Sequence, residues 1–119
     1  MLRILVVEDE AMIGVLLAEL LEEMGHGVCG IEATEEDAVA AAARWRPDLM
    51  IVDVWLADGN GISAVAKILR AGPVPHFFVS ADIAMARTLK PDAEVMQKPF
   101  REHDLAQAIG RAIDAATVA

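Results

Sequence analysis

The apolar residues change period several times along the chain. "LRILVVED" (Leu2 to Asp9) is apolar and β-branched up to Val7, which predicts a buried strand over about 3–8. From Glu10 the period turns helical, with Ile13, Leu16, Leu17, Leu20, Leu21 and Met24 on one predicted face and Gly25 as a stop. "GVCGI" (Gly27 to Ile31) predicts a second short strand. "TEED" (Thr34 to Asp37) places an N-cap with a carboxylate three residues on, opening a helix that runs to about Trp45 before Pro47. A third strand follows over Leu49 to Asp53, then a helix with Ile62, Val65, Ile68 and Leu69 on one face. "VPHFFVSA" predicts a fourth strand ending near Ser80, and a short helix is expected over 82–89. "AEVMQ" predicts a fifth strand. A last helix carries Leu105, Ala108, Ile109, Ala112, Ile113 and Ala116 on its apolar side.

Five strands alternating with five helices define an α/β chain with a parallel sheet covered on both faces. The expected architecture is a doubly wound (βα)5, flavodoxin-like, with five parallel strands in the order 2-1-3-4-5. Ligands then bind beyond the carboxyl ends of the strands, where the order reverses. Strand one ends in Glu8 and Asp9, strand three in Asp53, strand four in Ser80, and strand five in Lys98. The topology therefore gathers these polar residues at one edge.

Composition narrows the function. At 119 residues the chain is expected to be a single domain over 1–119, and 55% hydrophobic against 24% charged residues is a globular balance. No apolar run approaches the ~18 residues a membrane span needs, so no membrane insertion is expected. The one cysteine, Cys29, excludes an internal disulfide and reads as a small core residue, in keeping with a cytoplasmic protein. The net charge of −9 argues against direct nucleic-acid binding. Of the first 37 residues ten are acidic and only Arg3 is basic, which reads mostly as solvated helix faces apart from Glu8, Asp9 and Glu10. His26, His76 and His103 are scattered without metal spacing, and the six methionines read as core filler.

Three carboxylates at one edge, Glu8, Asp9 and Asp53, repel one another unless a cation joins them, and hard oxygens suit Mg²⁺ (or Mn²⁺). Lys98 adds a positive charge and Ser80 a hydroxyl, so metal, ammonium and hydroxyl together match the oxygens of a phosphoryl group. Glu8 and Asp9 are paired as metal ligands are, whereas Asp53 stands alone at the neighbouring strand end and is assigned as the nucleophile. "DGNG" (Asp58 to Gly61) is read as a turn into helix three. Ala81 leaves the approach to the site open. "KPF" (Lys98 to Phe100) fixes the backbone after the lysine, and a cis Lys98–Pro99 peptide would aim the ammonium back at the site.

Taken together, "VVEDE", "DLMIVDVWLADGNG", "FFVSA" and "VMQKPF" resemble the receiver domain of two-component response regulators, of the stand-alone, chemotaxis-regulator-like type. The resemblance covers essentially the whole chain. It implies that Asp53 accepts a phosphoryl group from the histidine of a histidine kinase or phosphotransfer protein, and that an unknown downstream protein reads the result. It implies Mg²⁺ held by Glu8, Asp9, Asp53 and the backbone carbonyl of Trp55, with Ser80 and Lys98 on the phosphoryl oxygens. Trp55 and Asp82 stand where the family tunes dephosphorylation, and Ala81, Val95 and Pro99 belong to the switch region.

Two departures stand out: Ala57 occupies a position often held by proline, and Val95 one often held by an aromatic residue. Without that aromatic the familiar inward turn behind Ser80 has no counterpart, so the readout differs even if the phosphorylation chemistry is kept. Two other readings fit the pattern, a degenerate receiver that binds partners without phosphorylation and a small Mg²⁺-dependent phosphohydrolase. The second lacks an acid two residues after Asp53, where Trp55 stands, and no turnover enzyme is expected.

Overall fold

The computed structural model describes residues 1–118. Its strands are β1 (Arg3–Val7), β2 (Gly27–Glu32), β3 (Leu49–Asp53), β4 (His76–Ser80) and β5 (Val95–Gln97). Its helices are α1 (Ala11–Glu23), α2 (Glu35–Trp45), α3 (Gly61–Leu69), α4 (Ile83–Leu89) and α5 (Glu102–Val118). All strand pairs are parallel and the sheet order is β2-β1-β3-β4-β5, as the alternation predicts.

Side chains alternate across each strand, and on the three inner strands both sets are apolar. Leu5, Val7, Met50, Val52 and Phe78 face one way, onto Ala38, Ala41 and Ala42 of α2, Ala64, Val65 and Ile68 of α3, and Ala86 of α4. Ile4, Val6, Leu49, Ile51, Phe77 and Val79 face the other, onto Leu17 and Leu21 of α1 and Leu105, Ala108, Ile109 and Ala112 of α5. A fully buried leucine such as Leu21 contributes about 2–3 kcal/mol of transfer free energy. The alanines of α2 let that helix lie close to the sheet.

Several expectations shift in detail. The buried stripe of α1 is Gly14, Leu17, Ala18 and Leu21, whereas Leu16 is 54% exposed. The apolar run from Met12 to Leu17 fits more than one helical face, and Gly14 decides between them. A Cβ at Gly14 would come within 2.9 Å of Ile31 Cγ2, so that side of the helix presses against β2. Of the methionines, Met50 and Met96 are buried, but Met12 is 76% exposed and Met85 is also exposed, so core filling describes only part of the set. Cys29 is half-buried on the edge strand β2, its thiol donating to Ile4 O at 3.5 Å. Burial pushes that thiol above its usual range despite the nearby Arg3 charge. Strand β5 is shorter than "AEVMQ", although Glu94 O still accepts from Phe78 N–H at 2.8 Å. Trp45, the last residue of α2, is more than a third exposed and lies beneath the Arg44 guanidinium, which is 4.9 Å from its ring centre.

The helix starts follow capping chemistry. Thr34 Oγ1 accepts from Asp37 N–H (3.1 Å), Asn60 Oδ1 from Ser63 N–H (2.8 Å) and Asp82 Oδ1 from Met85 N–H (2.9 Å).

Candidate functional site

The carboxyl ends of β1, β3 and β4 and the residue after β5 meet at one edge of the sheet. Pairing continues one residue past β1, because Glu8 N–H donates to Glu32 O at 2.8 Å, and this carries the Glu8 side chain inward. Glu8 and Asp53 are buried, at 4% and 7% exposure. Lys98 Nζ donates to both, at 2.7 Å to Glu8 Oε1 and 2.9 Å to Asp53 Oδ2. Burial of Lys98 works against its charge. Its hydrogen bonds to Glu8 and Asp53, and their charges, outweigh that and hold the ammonium above its ordinary range.

The remaining oxygens are also engaged. Glu8 Oε2 accepts from Glu10 N–H at 3.2 Å, and Asp53 Oδ1 from Trp55 N–H at 3.4 Å. Asp9 stands half-buried beside them. Glu8, Asp9 and Asp53 each offer one oxygen, and these oxygens all lie within 4.8 Å of one another. Ligands at about 2.0–2.1 Å around a Mg²⁺ ion span a little over 4 Å at most, so small side-chain adjustments bring this all-oxygen set to that size. The residues therefore fit a hard divalent cation.

Ser80 is buried, and its hydroxyl is occupied locally, donating to Asp82 O at 3.1 Å and accepting from Asp82 N–H at 3.0 Å. Ala81 and Asp82 are exposed, and the Asp82 carboxylate caps α4. Trp55 is 49% exposed at the rim. The Lys98–Pro99 peptide is cis, and Pro99 is exposed. Val95 is buried away from the rim and packs in the cluster that contains Phe78 and Ala86. The structure thus brings together Glu8, Asp9, Asp53, Lys98 and the Trp55 backbone. It sets Ser80 one strand over, turned to Asp82, and keeps Val95 in the core. The histidines lie elsewhere: His26 Nδ1 accepts from Leu2 N–H (3.1 Å) and His76 Nδ1 contacts Val74 O (2.8 Å).

Sequence reading missed Glu35, which it took for part of a solvated acidic face. Its carboxylate accepts from Asn60 N–H (3.1 Å) and Ser63 Oγ–H (2.7 Å) and pairs with Lys67 (2.6 Å). The Lys67 and Ser63 donors, joined by the Asn60 amide, lower its pKa to about 2. Asp58, read as a plain loop residue, makes a backbone contact: its carbonyl accepts from Glu35 N–H at 3.1 Å.

A doubly wound sheet with an acidic pocket and an adjoining lysine at its carboxyl edge is the architecture of a phosphoryl- or cation-binding α/β module. The family model for the response regulator receiver domain matches residues 4–110, and the chain belongs to that family of two-component signalling modules. The chain is similar to the phyllosphere-induced regulator PhyR of Methylorubrum extorquens, 34% identical over 93% of this chain and 43% of that protein. It is similar to the transcriptional regulatory protein PdtaR of Mycobacterium tuberculosis, 33% identical over 93% of this chain and 56% of that one. Both relatives are therefore about twice as long as the region matched. The solution structure of the Erythrobacter litoralis PhyR receiver domain superposes with a TM-score of 0.84 at 32% identity, covering 94% of this chain and 89% of that one. Magnesium and phosphorylation are typical of the family.

Proposed function

We propose that the chain is a phosphoacceptor: Asp53 receives a phosphoryl group from the phosphohistidine of a histidine kinase or phosphotransfer protein, and the modified form changes its contacts with a downstream protein. The observation that carries this reading is the placement of Lys98, bonded at once to Glu8 and Asp53 beside a third carboxylate. Glu8, Asp9, Asp53 and the Trp55 carbonyl would hold Mg²⁺. That ion, when bound, offsets the negative charge of the carboxylates and of the transferred oxygens.

In the transfer step an Asp53 carboxylate oxygen forms a bond to phosphorus while the bond from phosphorus to the donor imidazole nitrogen breaks. The electron pair of that bond stays on the imidazole. Lys98 already touches Asp53 Oδ2, so its ammonium is positioned to take a phosphoryl oxygen without crossing the site. Exposed Ala81 leaves room for the donor to approach. Hydrolysis, or transfer to another histidine, removes the group again, so the chain assists its own modification without turning over a substrate pool.

The readout runs through Ser80 in this account. Its hydroxyl holds both backbone groups of Asp82, the residue that caps α4. Rotation of that hydroxyl toward a phosphoryl oxygen gives up those bonds and frees the start of α4. This biases an equilibrium between two loop arrangements with no need of an aromatic residue at Val95.

The test is incubation with acetyl phosphate and Mg²⁺, followed by intact mass. The expected result is addition of one phosphoryl group, lost with Asp53→Asn and lost on chelation of the metal. An unmodified mass would favour a phosphorylation-independent binding module instead.

A further inference from the structure

The loop between β3 and α3 is fixed at its base by its own backbone. Gly61 N–H donates to Val54 O at 2.8 Å, and Trp55 pairs with Asn60 across a short antiparallel bridge. Gly61 packs so closely on the Asp53 carbonyl that no Cβ fits there. The outer side of the same loop is held by a different element. Thr34 bridges Asp58, Glu35 N–H donates to Asp58 O, and the Glu35 carboxylate accepts from Asn60 N–H. Gly59, at φ +83°, lies against the Glu35 side chain where a Cβ would overlap it.

We infer that Glu35 is a positioning residue for cation binding, acting through Asn60 and its bridge partner Trp55. This rests on the proposal above that the Trp55 carbonyl and the three carboxylates hold the ion. Trp55 is bonded to the site on one side, through its N–H to Asp53 Oδ1, and on the other lies opposite Asn60 in the bridge that the Gly61 N–H to Val54 O bond closes. Asn60 is in turn held by Glu35 Oε1. Removing Glu35 leaves every metal ligand in place but loosens the segment that carries one of them. Loss of a residue that orients a ligand typically costs about tenfold or more in metal affinity.

Lys67 provides the discriminating comparison. It pairs with Glu35 Oε2 and not with the loop, so Lys67→Met removes the ion pair between the helices while the Oε1 bond to Asn60 remains. An ordinary structural role would make Glu35→Ala and Lys67→Met alike in kind, each affecting Mg²⁺ only as far as it affects folding.

The experiment is Mg²⁺ titration followed by Trp55 fluorescence in a Trp45→Phe background, which leaves one tryptophan. Urea midpoints are measured on the same proteins. Glu35→Ala is expected to weaken Mg²⁺ binding about tenfold. Glu35→Gln, which keeps an amide oxygen for Asn60 N–H, and Lys67→Met are expected to stay within about threefold of the parent, well short of that loss. Ile109→Val, in the core far from the loop, serves as the control for stability alone. Equal Mg²⁺ affinity in Glu35→Ala and the parent, or affinities that merely follow the urea midpoints across the set, would overturn the inference while leaving the cation site standing. No Mg²⁺ response in the parent itself would overturn both.

Discussion

Lys98 sits between two buried carboxylates that would otherwise face each other without a counter-charge. Removing one partner from such a group costs more than the pairing contributes, because an uncompensated charge is left behind. Lys98→Met is expected to destabilise the protein by about 3 kcal/mol, read as a lower urea midpoint. Adding Asp53→Asn should recover part of that loss, since one of the two stranded charges is removed. Additive losses in the double variant would show that the two side chains do not interact. At this scale Asp53 stood out in the sequence because it ends an otherwise apolar strand, and Lys98 because it stands at the end of the fifth strand directly before a proline. Glu35 was not readable. It lies among other acids in "TEED", and its partners Asn60, Ser63 and Lys67 become neighbours only when α2 packs beside α3.

The elements were predicted well where period and capping agree, and less well where an apolar run admits two faces. Helix α1 shows the second case: Leu17 and Leu21 of the predicted face are buried as expected, whereas Leu16 is exposed and Gly14, which packs against β2, takes its place in the stripe. Strand β5 keeps only Val95 to Gln97 in register with β4, Glu94 joining through its carbonyl alone. The tie between α2 and α3 has a pH signature. The Glu35 pKa is lowered from 4.5 to about 2, so its contribution to stability is fully present above 4.5 and is lost as pH falls toward 2. Acid titration of stability should therefore be steeper for the parent than for Glu35→Gln in that window, measured by urea unfolding at a series of pH values. Identical slopes would mean that Glu35 makes no such bonds in solution.

The whole molecule explains why the site is spread so widely along the chain. Glu8 and Lys98 are 90 residues apart, and Asp53 and Lys98 are 45 apart. The first bond spans all four crossovers of the sheet and the second the last two, so the pocket exists only when β1, β3 and β5 are all in place. The acid-rich first third of the chain supplies two carboxylates, and the residue after the last strand supplies the cation. The central claim is that this assembly makes Asp53, and no other carboxylate, the phosphoryl acceptor. Borohydride reduction of the acetyl phosphate-treated protein, followed by peptide mapping, tests it most directly, because an aspartyl phosphate is reduced to homoserine. The account predicts homoserine at position 53 alone, in a Mg²⁺-dependent amount. Reduction at Asp9 or elsewhere, or none at position 53 in a protein that has gained a phosphoryl group, would contradict it.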